Sequence, residues 1–83
     1  MNEEERQEKL ASLAYCKEQG EKAYHQMYDA RAFREGNTCY SDSKEFFYDA
    51  IRLADELGMA DEAMTLRKRL DHIKGVFRSQ FVQ

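Results

Sequence analysis

Proline and tryptophan are absent from this chain, and glycine occurs only at Gly20, Gly36, Gly58 and Gly75. A small β fold needs a tight turn every few residues, so this shortage of turn residues excludes most all-β architectures. Cysteine is also scarce. Cys16 and Cys39 fall short of the four, six or eight that staple small secreted domains. No apolar run approaches the roughly 18 residues that a membrane span requires. The opening stretch Met1-Asn2-Glu3-Glu4-Glu5-Arg6 is followed by no apolar targeting core. The expectation is a cytoplasmic protein that does not engage membranes, with both thiols reduced and unpaired.

What the chain does have is helix-forming capacity. Charged residues make up 35% of its 83 positions, interleaved with Ala, Leu, Met, Gln and Glu. At this length it forms one all-α domain over residues 1–83. Three periodic segments predict helices at 3–34, 42–57 and 60–79, packed as an antiparallel three-helix bundle.

The first segment carries Leu10, Leu13, Ala14, Gly20, Ala23, Tyr24, Met27 and Tyr28 at helical spacing. Lys17 and Glu21 interrupt this stripe. Its phase passes through Gly20 unbroken, which predicts one long helix, with the glycine admitting a neighbour at close range. Glu35-Gly36-Asn37-Thr38 reads as a loop, and Asp42 with Glu45 has the spacing of a capping box. Phe47, Ala50, Ile51, Ala54 and Leu57 then line one face, with Phe46 and Leu53 beside it. Beyond Gly58, the residues Ala63, Leu66, Leu70, Ile73 and Phe77 form the cleanest amphipathic stripe in the chain. With so short a link, the last two helices form a tight antiparallel hairpin.

The stretch 44–77 resembles a single tetratricopeptide repeat, a helix–turn–helix unit. Leu57-Gly58-Met59-Ala60-Asp61-Glu62-Ala63 is similar to that family's inter-helix turn and the small packing residue after it. Phe47 stands at its first large aromatic position, and Ile73 at an apolar position late in its second helix. Departures are Ile51 for a small residue, Ala54 for tyrosine, Arg67 for an aromatic, Leu70 for alanine and Gly75 for proline. Leu13-Ala14-Tyr15 and Gln19-Gly20 faintly echo the same pattern. The resemblance implies an interaction module with a repeat-like C-terminal hairpin, needing further helices to cover it.

No catalytic or cofactor signature can be read. His25 and His72 have no His or Cys three or four residues on, and the cysteines form no Cys-x-x-Cys pair. A spatial cluster of Cys16, His25 and Cys39 stays open as a metal site. Glu45 and Asp49 are paired acids without an accompanying nucleophile or base. The expectation is no enzyme, no cofactor and no metal.

Charge is distributed unevenly along the chain. Residues 1–64 hold 8 Lys+Arg against 15 Asp+Glu, and residues 65–83 hold 5 against 1, so −7 is followed by +4. Arg67, Lys74 and Arg78 share one side of the last helix. Its end is also apolar, with Val76, Phe77, Phe81 and Val82, and Phe81 lies beyond what a bundle with these helix bounds would cover. Lys74, Phe77, Arg78, Phe81 and Val82 are therefore the candidate partner-binding residues. Five tyrosines suit either a bundle boundary or a contact surface. The function expected is protein–protein interaction as an adaptor, small chaperone or assembly regulator, with a second copy (a homodimer) as the simplest partner. The alternative is an anionic partner such as nucleic acid on the basic C-terminal helix, against which the overall charge of −3 argues.

If Gly58 is a left-handed helix stop, Gly58→Val places a β-carbon where the backbone penalises it by about 1–2 kcal/mol. In a domain of this size, each kcal/mol lowers the thermal midpoint by about 4–8 °C. An unchanged melting curve would show that the stop lies elsewhere.

Overall fold

A computed structural model describes residues 1–81. Three helices account for nearly all of them: α1 Glu3–Asp29, α2 Phe33–Glu56 and α3 Ala60–Phe81. They run up, down and up. The Cα envelope measures 46 × 18 × 12 Å, a flattened bundle with α2 in the middle. The central helix packs on both neighbours along its length, whereas α1 and α3, which run parallel, meet over a narrower seam.

Local chemistry sets the start of α1. Asn2 Oδ1 accepts from the Glu5 N–H at 2.8 Å, and Glu3, Glu4 and Glu5 place negative charge at the positive end of the helix. The helix runs unbroken through Gly20, whose reason lies in α2. A β-carbon there would sit 2.8 Å from the ring of Phe47, a residue with 1% of its surface exposed. Ser43, one turn earlier on α2, donates its hydroxyl to the Gly20 carbonyl at 2.9 Å. The two helices are thus locked at contact distance, and the buried hydroxyl has its partner.

Two expectations fail at the α1–α2 junction. The first helix ends at Asp29 rather than 34, and the second begins at Phe33 rather than 42. Residues Ala30, Arg31 and Ala32 make the link, with Ala30 extended. The stretch 35–38 is helical, so Gly36 and Asn37 are not a stop. Gly36 is buried, and a β-carbon on it would run into the Phe81 ring. Its glycine serves close approach of α3, not a turn. Asp42 and Glu45 lie within α2, so they cap nothing. Thr38 also belongs to this added helix, donating its hydroxyl to the Arg34 carbonyl at 3.0 Å. Aromatic packing of Phe33 and Tyr40 against α3 supplies the tertiary support for these early turns.

The α2–α3 turn is the one the sequence predicts. Gly58 has φ +73°, the Met59 N–H donates to the Ala54 carbonyl at 2.8 Å, and the Gly58 N–H donates to Asp55 at 3.1 Å. That pair of bonds is a Schellman stop. Beyond it, Ala63, Leu66, Leu70, Ile73 and Phe77 are all buried against the rest of the core.

The residues that interrupt the α1 stripe turn out to face α3. Lys17 pairs with Glu62, and Glu21 takes two hydrogen bonds from the Arg69 guanidinium at 2.7 and 2.8 Å. The same guanidinium lies 4.9 Å from the centre of the Tyr24 ring. Farther along, Tyr24 packs edge-on to His72, and the Gln80 amide donates to the Tyr28 carbonyl. Of the expected α1 stripe, Ala14 and Tyr28 are exposed.

Two tests follow from this packing. Gly20→Ala drives a methyl into the Phe47 ring, an overpacking that costs about 1–3 kcal/mol against the roughly 1 kcal/mol gained in helix propensity. Nothing stands within 4 Å of a β-carbon at Gly75. Gly75→Ala should therefore raise the melting temperature while Gly20→Ala lowers it. Shifts of equal sign would show that the Gly20 contact does not constrain the fold.

The second test uses pH. The hydrogen bonds from Arg69 hold the Glu21 carboxyl below the usual glutamate range, against the opposing effect of partial burial. A lowered folded value means that its contribution is complete above the unfolded value of about 4.3 and is lost as pH falls through the folded one. The midpoint difference between the native chain and Glu21→Gln should be widest near neutrality and close toward pH 3. A difference independent of pH would exclude the charged pair as its source.

Candidate functional site

The early start of α2 adds Phe33 and Tyr40 to Lys44 and Tyr48 beside the end of α3. Phe33, Tyr40, Lys44 and Tyr48 recur at helical spacing on the side of α2 that meets Lys74, Phe77 and Phe81. Tyr40 stacks on Phe77 with ring centres 4.0 Å apart and planes 5° from parallel. Phe81 leans on Phe77 at 5.2 Å and meets Phe33 edge-on at 6.2 Å, with Gly36 beneath it. The result is an aromatic wall whose outer members stay wet: Phe33 is 56% exposed and Tyr48 51%.

Cations sit on this wall, held by rings. Lys44 Nζ lies 4.5 Å from the centre of Tyr40. Lys74 Nζ lies 5.3 Å from the centre of Tyr48 and donates to its hydroxyl at 2.9 Å. That hydrogen bond, first among its causes, raises the Lys74 ammonium above the usual lysine value, so the group stays charged. Arg78 is exposed beside them. Five cations elsewhere meet carboxylates: Lys9 with Glu56, Lys17 with Glu62, Arg52 with Asp49 and Glu56, Arg67 with Asp55, and Arg69 with Glu21; Arg6, Lys22, Arg31, Arg34 and Lys68 form no such pair among the described residues. Among the described residues, Lys44, Lys74 and Arg78 have no such partner.

The candidates read from the sequence thus divide. Lys74 and Arg78 present charge at the surface. Phe77 is buried, and Phe81 is half-covered by its own chain, because α2 begins nine residues before its expected start. Val82 lies outside the described residues. Phe33, Tyr40, Lys44 and Tyr48 were not among those candidates. The recurrence Tyr40, Lys44, Tyr48 at every fourth residue was available as a signal, but only once residues 33–41 were taken as helix.

The thiols do not converge. Cys16 is half-buried near Asp49, and Cys39 near Glu35 and Asp42. Burial, followed by those acids, raises both thiols above their usual value. Ten residues of α2 separate the two neighbourhoods, about 15 Å of helix, well beyond the ~7 Å Cα limit for a disulfide. His25 packs by Tyr24. Among the described residues, no group of three or more His, Cys, Asp or Glu side chains is arranged to hold a metal ion. Nor is any helix long and apolar enough to cross a membrane.

No family model, no curated protein and no solved structure matches the chain. The fold and its surface define the class: an all-α three-helix bundle with an aromatic and basic face at one end.

Removing Phe81 tests its structural role. A chain ending at Ser79 uncovers Gly36, Phe33 and Phe77 and loses the bond from Gln80 to Tyr28. Burial of such a ring is worth about 1.5–3 kcal/mol, discounted because Phe81 is only partly covered. The truncated chain should melt several degrees below the full one at the same concentration. Identical melting would mean that Phe81 is not held by its own chain.

Proposed function

We propose that this chain is a non-catalytic protein–protein interaction module whose binding surface is the aromatic and basic face of α2 and α3. The observation that carries this reading is the placing of Lys44 over the Tyr40 ring and of Lys74 on Tyr48, along the same side of α2 that exposes Phe33 and Tyr48. Protein interfaces favour aromatic rings and arginine at their centres, as with Phe33, Tyr48 and Arg78, and lysines such as Lys44 and Lys74 suit their polar rim. The α2–Gly58–α3 hairpin, with its tight turn and small Ala63 at the contact, supports a tetratricopeptide-like repeat unit as the scaffold. An adaptor, small chaperone or assembly regulator working in the cytoplasm is the role this reading describes, and no enzymatic activity is assigned to it. Interleaved rings and cations also favour a second reading, single-stranded nucleic acid. A chain of net charge −3 with three cations, Lys44, Lys74 and Arg78, on that face is a poor match for a phosphate backbone.

A photo-crosslinking residue placed at Tyr48, compared with one at the exposed Gln26 on α1, tests the proposal in extracts of the native host. Adducts identified by mass spectrometry should contain a discrete protein from position 48 that position 26 does not yield. Equal products from both positions, or none from either, would refute an interaction surface on α2 and α3.

A further inference from the structure

We infer that the partner on this face is an acidic segment of another protein, carrying at least one aromatic or aliphatic side chain that covers Phe33. The inference rests on the reading of the face as a protein surface and adds the chemistry of its occupant.

Two features of the face point to that chemistry. The first is charge held in place by rings rather than by carboxylates. Across the α1–α3 seam and at the foot of α2, interhelical cations are matched by carboxylates, so positive charge there is already used. Lys44 and Lys74 are instead positioned by the faces of Tyr40 and Tyr48. A ring orients an ammonium without neutralising it, so both remain able to take an anion while their flexible stems are already ordered. Of the acids on α2, Asp42 lines a depression with Gln19, Lys22 and Phe46 toward α1, Asp49 pairs with Arg52, and no salt bridge joins Glu35 or Glu45 to Lys44 or Lys74 among the described residues. Asp71, three residues earlier on α3, also acts on Lys74.

The second feature is apolar. An isolated anion would satisfy the lysines and leave Phe33 in water. A segment that alternates carboxylates with a large apolar side chain would satisfy both at once. Ring contacts from Phe77 and Phe81 hold Phe33 from behind, so its exposed surface is presented on a packed base. The chain's own net charge of −3 repels acidic molecules in general, which confines attraction to this face and sharpens selectivity for a partner that reaches it.

Amide chemical shifts of the full-length, isotope-labelled chain provide the test. The probe is a short helical peptide of glutamates and two phenylalanines. Its controls are a lysine-for-glutamate version, an alanine-for-phenylalanine version, and an oligothymidylate of equal charge. The glutamate–phenylalanine peptide should shift amides of 33–48 and 74–81 saturably, and its affinity should fall as salt is raised. Lys44→Glu with Lys74→Glu should weaken it by about tenfold or more without changing the melting curve. Should that pair unfold the chain, Arg78→Glu, at an exposed position, serves the same comparison. Shifts scattered over the molecule, equal binding of the alanine version, tighter binding of the oligonucleotide, or no saturable shift would each overturn the inference. So would sedimentation showing that a second copy already occupies the face. If the peptide fails while the crosslinker at Tyr48 still captures a discrete protein, the acidic chemistry is wrong and the interaction surface stands.

Discussion

Where α1 meets α2, three side-chain positions decide the distance between helices: Gly20, which presents no β-carbon, Phe47, which fills that space, and Ser43, whose hydroxyl bonds the Gly20 carbonyl. Everything else in the bundle is arranged around that approach. With α1 held close to α2, Leu13 and Met27 reach the core cluster along with Phe47. A helix glycine ordinarily weakens its helix by roughly 1 kcal/mol, and here the loss is set against burial of a whole phenylalanine ring. The carbonyl accepts a side-chain bond in addition to its place in the helix, which ties the register of α1 to that of α2 as well as their spacing.

The third helix is attached differently along its two edges. Toward α2 it presents an apolar stripe, and the contact is made by burial. Toward α1 the contacts are polar: the Lys17–Glu62 and Glu21–Arg69 pairs, and the Gln80 amide on a backbone carbonyl. Exposed and half-exposed ion pairs add little stability compared with buried rings. They do, however, discriminate among rotations of α3, since only one brings each cation opposite its carboxylate. Burial thus supplies the adhesion and the seam supplies the register.

At the far end the same division separates structure from surface. Phe77, Phe81 and Tyr40 close the bundle over Gly36, and they leave Phe33 and Tyr48 partly in water with Lys44 and Lys74 laid over tyrosine rings. A packed base under exposed rings and ordered charge leaves little to be reorganised on binding, which suits the recognition surface proposed for this face. Among the described residues, Cys16, Cys39 and His25, which the sequence left open as a spatial cluster, do not come together: the two thiols lie in separate neighbourhoods and His25 packs beside Tyr24.

The helical class, the number of helices, the α3 stripe and the Gly58 stop were all legible in the sequence, because each depends on residues within a few positions of one another. Periodicity identifies a buried face, and a left-handed glycine after an apolar helix end is a local event. Continuity through Gly20 was legible for the same reason. The α1–α2 junction was not. Ala30-Arg31-Ala32 contains no glycine, no proline and no left-handed residue, so nothing local marks the break. Gly36 and the Asp42–Glu45 spacing offered turn and cap signals that the structure does not use. Those positions are helical because Phe33, Gly36 and Tyr40 pack on Phe77 and Phe81 more than thirty residues away. Sequence alone therefore determined what the elements are, through short-range periodicity and backbone preference. Where the first connection falls, and hence which rings and cations share a face, was decided only by long-range aromatic packing, which pattern within one segment does not encode.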